Sequence, residues 1–264
     1  MDRPHTLAGR IARYGYWAFC AAILIFLVAP IGAIVPLSFN SGSLLSYPLA
    51  GLSTRWYQEL ITSPYWMAAF RNSLIVALAT TAISTPLGAL AALGMNRLSP
   101  RWRPLVMSLL IAPMVAPVIV LATGAYFLYA PLRLTDSYLG LILAHTTLAA
   151  PYVVLAVNAS LQGFDTGLLR AASSLGATPR LAFIRVLLPM IGPGVAAGAI
   201  FAFVTSWDEV VVSIFLTTAR FQTLPVQMWS QVNEVVDPTV AAVSTLLLVV
   251  TLSLVSVGLL LRRR

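Results

Sequence analysis

Long apolar runs separated by short polar connections set the pattern of the chain. Six of them are each long enough for the roughly 20 helical residues that cross a hydrocarbon core: Tyr14 to Leu37, Ser73 to Met95, Leu105 to Tyr129, Tyr138 to Leu161, Met190 to Thr217 and Thr239 to Leu261. A membrane β-barrel would alternate apolar and polar residues along short strands, and these runs do not alternate. The pattern predicts an all-α integral membrane protein with about six transmembrane helices and both termini on one side. The first run exceeds a signal-peptide core of about 7 to 15 residues and is expected to be a retained anchor.

Arginine sets the orientation. The termini and the connections on their side hold Arg3, Arg10, Arg13, Arg97, Arg101, Arg103, Arg170, Arg180, Arg185, Arg262, Arg263 and Arg264, whereas the other side holds only Arg55, Arg71, Arg133 and Arg220. Twelve against four puts both termini in the cytoplasm. The acidic Glu59, Asp136, Glu234 and Asp237 fall on the external side. Composition agrees: 59% of residues are hydrophobic and 9% charged, against about 25% charged in a soluble domain. The formal charge of +8 rests on arginine alone, and in a membrane protein such a balance reflects cytoplasmic loops before nucleic acid. The lone Cys20 cannot make an internal disulfide.

Small residues in the second run (Ala77, Thr81, Ala82, Ser84, Gly88, Ala89, Ala92, Gly94) predict close helix packing. Trp56, Tyr57, Tyr65, Trp66 and Phe70 predict an amphipathic interfacial segment. Pro113 and Pro117 predict a kink early in the third run, which suits a helix lining a pathway and also occurs in inert bundles.

No HExxH, GxSxG or CxxC motif is present, and no nucleophile stands at recognisable spacing from a base. His145 is a lone intramembrane imidazole, readable as a packing residue or as part of a relay. The adjacent carboxylates Asp208 and Glu209, preceded by Trp207, lie in the fifth run, roughly 20 Å along a helix starting near Gly194. A carboxylate at the bilayer centre costs about 2.5 to 3.5 kcal/mol, so the pair should face a cavity, a partner helix or a cation. Successive helical positions point about 100° apart, so one of the two is expected to face a pathway while the other pairs elsewhere. A helix-break cap at Asp208 is the structural alternative.

The longest polar interruption in the second half is "LRAASSLGATPRLAFIRVLLP". Leu168, Ala171, Ala172 and Leu175 mark one helical face, Gly176 is placed to end that helix, and Thr178 and Pro179 to cap and open a second one. Leu181, Ile184 and Leu188 line the second helix, which is expected to run up to Pro189, and Pro193 lies near the start of the fifth run. Helices this short need partner contacts to persist.

The run Ala171, Ala172, three residues, Gly176, nine residues, Val186, one residue, Leu188, Pro189 resembles the EAA motif of permease subunits of ABC importers. The stretches "GVAAGAIFAFVTSWDEVVVSIFLT", "TLPVQMW" and "DPTVAAVSTLLLV" are similar to the second permease of the spermidine/putrescine class. The motif's acidic first residue is Arg170 here, with Asp165 nearby.

The resemblance implies a type I ABC importer permease fold in the bacterial inner membrane, and a non-catalytic transport subunit. Its segments would be a cytoplasmic tail at 1–13, the first transmembrane helix with its interfacial segment at 14–70, a five-helix core at 71–261 with the coupling loop at 162–189, and a tail at 262–264. Implied partners are a homologous permease, two copies of a cytoplasmic ABC ATPase, an extracytoplasmic binding protein and membrane lipid, with no nucleic acid. This chain would bind no cofactor or metal, since ATP and Mg2+ belong to the ATPase; the chain has no P-loop and no lysine to build one. Arg170, Ala171, Ala172, Gly176, Val186, Leu188 and Pro189 are the implied coupling residues, and Trp207, Asp208 and Glu209 the candidate substrate-pathway residues. The implied cargo is a polyamine; another small amine or organic solute (an opine, γ-aminobutyrate, aminoethylphosphonate) fits the same importer type. An autonomous channel or secondary transporter using His145, Asp208 and Glu209 is the competing class.

Overall fold

The computed structural model describes residues 7–234 and 238–262. Arg3, Asp237, Arg263 and Arg264, with half of the predicted tail residues, lie outside them. Among the described residues the structure is helical, with two isolated β-bridges and no sheet. In chain order the helices are α1 (Leu7–Leu37), α2 (Arg55–Thr62), α3 (Pro64–Met95), α4 (Arg103–Val115), α5 (Val118–Tyr129), α6 (Tyr138–Gln162), α7 (Gly167–Ser174), α8 (Pro179–Ala182), α9 (Leu188–Trp207), α10 (Val211–Leu216), α11 (Leu224–Glu234) and α12 (Thr239–Arg262). Five stretches are long and apolar enough to cross a membrane: Arg13–Leu37, Pro64–Met95, Tyr138–Gln162, Pro179–Trp207 and Thr239–Ser256. The pair α4 and α5 makes a sixth if counted as one span.

The chain divides into two compact units, one of residues 1–62 with 231–246, the other of residues 63–230 with 247–264. In the first, α1 starts at Leu7, inside the stretch expected to be a tail, and stays largely exposed along its apolar length. The loop after it is folded around Asn40. Its side-chain oxygen accepts from the backbone amides of Gly42 (3.2 Å) and Ala50 (3.1 Å), its amide nitrogen donates to Leu44 O, and its carbonyl accepts from the indole of buried Trp56 at 2.7 Å. The aromatic segment is therefore split. Trp56 and Tyr57 ride on α2, whereas Tyr65, Trp66 and Phe70 form the first turns of α3. Pro64 at the first helical position, where a missing amide is harmless, opens α3 before the expected Ser73.

The second unit is built on α3, α6 and α9, which pack against one another. Small residues make this possible where no aqueous hydrophobic effect drives association: Gly88 of α3 and Gly198 of α9 both lie against Val153 of α6, which is fully buried. Ser137 caps α6 by accepting from Gly140 N, and Pro151 sits inside α6 without ending it.

Two expected helices are revised. The third run is broken rather than kinked: α4 and α5 meet at 95°. Pro117 disfavours helical backbone in the residue before it, and Ala116 is extended (φ −66°, ψ 140°), so the ladder stops there; Pro113 is accommodated within α4. The second loop helix, conversely, does not end at Pro189. The stretch Phe183–Leu187 is a π-helical turn, and it joins α8 to α9 so that Pro179–Trp207 forms one continuous span. The wider turn carries the chain past Pro189, which cannot donate to the ladder.

Candidate functional site

Sequence chemistry points to two places, the loop around α7 and α8 and the acidic end of α9, separated by the length of α9, about 30 Å at 1.5 Å per residue.

At the loop, α7 ends in a Schellman arrangement. Leu175 is its C-cap, the amide of Gly176 donates to Ser173 O and that of Ala177 to Ala172 O, both at 3.0 Å. Gly176 has φ +85°, a left-handed value that a side chain disfavours. Thr178 then caps α8 by accepting from Leu181 N, and Pro179 occupies the first helical position. α7, which carries Arg170, Ala171 and Ala172, packs on α8 and on the π turn that holds Val186, while Leu188 and Pro189 open α9 directly after that turn. Arg170, Ala171, Gly176, Leu188 and Pro189 are exposed, while Ala172 and Val186 are partly buried. Leu168, Leu181 and Ile184 are exposed as well, and Leu175 is 88% exposed. The loop thus presents a pre-shaped apolar surface with no covering element within its own unit.

At the other end, the fifth run is not one helix through Asp208 and Glu209. α9 stops at Trp207, Asp208 is its C-cap (φ −98°, ψ 1°), and α10 restarts at Val211. The two carboxylates take different roles. Asp208 is exposed. Glu209 is buried and caps α10: Oε1 accepts from Val212 N at 2.8 Å, and Oε2 accepts from Ser213 N at 2.9 Å and Ser213 Oγ at 3.1 Å. Trp207 is 1% exposed, stacked on Phe203 and edge-on to Phe70, and its indole N–H has no hydrogen-bond partner among the described residues.

His145, buried on α6, joins this break. Its Nδ1 lies 2.8 Å from Ser206 Oγ on α9 and its Nε2 3.0 Å from Ser213 Oγ on α10, with Glu209 Oε2 at 3.6 Å. Ser206 and Ser213 escape sequence reading, since serine in an apolar helix carries no signal of its own. A further polar cluster also escaped it: Asn72 of α3 accepts from the hydroxyl of Tyr138 and donates to Gln222 O, and Ser73 Oγ accepts from Leu224 N at 2.7 Å. It ties α3 to the start of α6 and to the segment preceding α11. Among the described residues no cluster of three metal-ligating side chains occurs.

Comparison with known proteins turns this geometry into a family. Residues 84–264 match the model of the binding-protein-dependent transport system inner membrane component. The chain is 35% identical to the spermidine/putrescine transport system permease protein PotC of Escherichia coli K12, covering 97% of this chain and 96% of that one. It is 33% identical to the putrescine transport system permease protein PotI of the same strain, over 84% and 82% of the two chains. Among solved structures, a bacterial ABC transporter involved in alginate import superposes with a TM-score of 0.75 over 97% of this chain and 98% of the other, at 13% identity. That likeness carries the fold, while the sequence relationship carries the kinship. The chain belongs to the binding-protein-dependent transport system inner-membrane components, as a permease subunit of an ABC importer with the type I fold in the bacterial inner membrane.

Proposed function

We propose that this permease carries a small polyamine of the spermidine/putrescine class inward, with Asp208 as its cargo-facing carboxylate, driven through the loop around Gly176 by a partner ATPase that uses ATP and Mg2+. The observation that carries the reading is the 35% identity to PotC over nearly the whole of both chains. The site supports it: Asp208 is exposed at a helix break, where an ammonium group would be drawn by charge. The assembly would comprise this chain with both termini cytoplasmic, a homologous permease, two ATPase copies and an extracytoplasmic binding protein. The exposed apolar face of α7 and α8 suits insertion into an ATPase groove, and Arg170 would meet an acidic residue there. The test is ATP-dependent uptake of labelled putrescine and spermidine into proteoliposomes holding the co-purified complex and its binding protein. Saturable uptake of either amine supports the reading; ATPase stimulation by the loaded binding protein without amine uptake rejects the cargo, and the absence of a co-purifying ATPase rejects the drive.

Two loop variants sharpen the coupling half. A Cβ added at Gly176 meets nothing within 4 Å, so any penalty there comes from φ +85° and not from bulk. A left-handed residue with a Cβ costs about 1 to 2 kcal/mol. Gly176→Val should therefore lower coupled uptake about 5- to 30-fold, while Gly176→Asn, a residue enriched in that region, should stay near wild type. Equal losses in both would point to steric exclusion by the partner instead. Arg170→Glu should also impair coupling, and unchanged ATP-driven uptake would remove the pairing assigned to Arg170.

A further inference from the structure

We propose that His145 is a positioning residue that clamps the break in the fifth span and thereby sets where Asp208 stands. Three helices meet at its ring. Counting protons gives the bonds one direction. With Glu209 as a carboxylate, the single hydroxyl proton of Ser213 is held by that residue, between Oε2 at 3.1 Å and the backbone carbonyl at 3.3 Å, so Ser213 Oγ accepts from His145 Nε2–H at 3.0 Å. Nδ1 then carries no proton and accepts from Ser206 Oγ–H at 2.8 Å. Donors run from Ser206 through His145 and Ser213 to Glu209, where the Val212 and Ser213 amides also converge.

This arrangement does two things. Ser206 stands two residues before Asp208 and Ser213 five residues after it, so α6 grips both sides of the gap through one rigid ring. Glu209, meanwhile, has both carboxylate oxygens engaged by α10, which leaves Asp208 as the acid of the pair that is exposed. Peptide at a helix break has lost its ladder bonds and would swing about the gap unless tied; the imidazole supplies the tie, being the one ring that offers a donor and an acceptor on opposite edges. Gln at position 145 places its amide near the former Nε2 and keeps the Ser213 side, and Asn places its amide near the former Nδ1 and keeps the Ser206 side.

The inference rests on the proposed cargo role of Asp208 only in its uptake arm, so the test has two. In the first, the complex carries Cys20→Ser and Asp208→Cys, and the rate of modification of the new thiol by a water-soluble maleimide is compared with and without a change at His145. Loss of both clamp bonds in His145→Ala should shift the rate about fivefold or more, the factor that one hydrogen bond of ordinary strength represents, and either Gln or Asn should restore part of it. A rate unchanged in His145→Ala overturns the clamp. If His145→Ala does not assemble, Ser206→Ala and Ser213→Ala each remove one bond and are read the same way: a shifted rate supports the clamp and unshifted rates in both overturn it. In the second arm Asp208 is intact and uptake is measured for His145→Gln, Asp208→Asn and the double variant. Losses that fail to multiply place the two residues in one unit, whereas independent, multiplying losses overturn action through Asp208. A shifted thiol rate with unaltered amine uptake in all three variants leaves the clamp standing and removes the cargo role of Asp208 instead.

Discussion

Replacing Glu209 by Ala is expected to destabilise the permease by about 3 kcal/mol, whereas Asp208→Asn, at the adjacent residue, should leave stability within about 0.5 kcal/mol. The difference follows from what each carboxylate touches. Glu209 takes three donors, two of them backbone amides at the start of α10. Their loss strands buried N–H groups at about 1 to 3 kcal/mol each, partly offset where the chain relaxes. Asp208 is exposed and its side chain caps nothing within the described structure, so its neutral isostere removes charge without removing a fold contact. Glu209→Gln should fall between, since an amide keeps one acceptor oxygen and turns the other into a donor facing donors. Measured as the thermal midpoint of the detergent-solubilised complex, about 3 kcal/mol corresponds to a fall of about 6 to 12 °C for a chain of this size. A normal midpoint in Glu209→Ala would mean that the carboxylate is not the cap of α10. Uptake should separate the pair in the opposite sense: Asp208→Asn loses amine transport in a protein that assembles normally.

That division of labour was half legible from the chain. Two adjacent acids in an apolar run announce a special place, because burying charge is expensive. The break between Trp207 and Val211 was legible only as the alternative of a helix-break cap at Asp208, for the sequence there is "SWDEVVV", with no proline or glycine to mark it. Its cap is a glutamate reaching forward from outside the helix, whereas capping rules look for Ser, Thr, Asp or Asn at the N-cap itself. The partners of His145 were equally hidden, lying 61 and 68 residues away along the chain. By contrast, the loop at Gly176 was readable to the residue. Its determinants are local: a residue free to take φ +85°, followed by Thr178 and Pro179. Intermediate cases are instructive. Pro113 and Pro117 announced a bend, but its 95° comes from one extended residue, Ala116, whose conformation a proline biases without fixing the angle between the helices. Pro151, Pro189 and Pro193 look the same in sequence and interrupt nothing. What decides is whether neighbours or a widened turn take up the freed carbonyls.

The same distinction between local and tertiary signals governs the substitution expected to damage the fold most, Gly88→Leu. In sequence Gly88 is one of several small residues on α3, and nothing ranks it above Gly94. In the structure a Cβ at position 88 would stand 2.6 Å from Val153 Cβ, 2.8 Å from its Cγ1 and 3.0 Å from Ala150 O. A Cβ and a backbone carbonyl cannot rotate aside, so the helices themselves must separate. Val153 has no room to retreat, because a Cβ on Gly198 of α9 would already lie 3.0 Å from Val153 Cα. The residue is wedged between two glycines on two helices. Gly88→Leu should cost about 3 kcal/mol or more, toward the upper end of overpacking penalties, and reduce assembled permease to a small fraction of wild type. At Gly94 on the same helix a Cβ meets nothing within 4 Å, and Gly94→Ala should be neutral or gain up to about 1 kcal/mol from helix propensity. Val153→Gly should partly rescue Gly88→Ala by removing both close carbons, whereas Val153→Ala should not, since it retains the Cβ at 2.6 Å. Rescue by Val153→Ala as effective as by Val153→Gly would show that α3 and α6 are not held at this separation. The glycine wedge sets the separation of α3, α6 and α9, so its loss should be felt at both ends of α9, the loop and the acidic break.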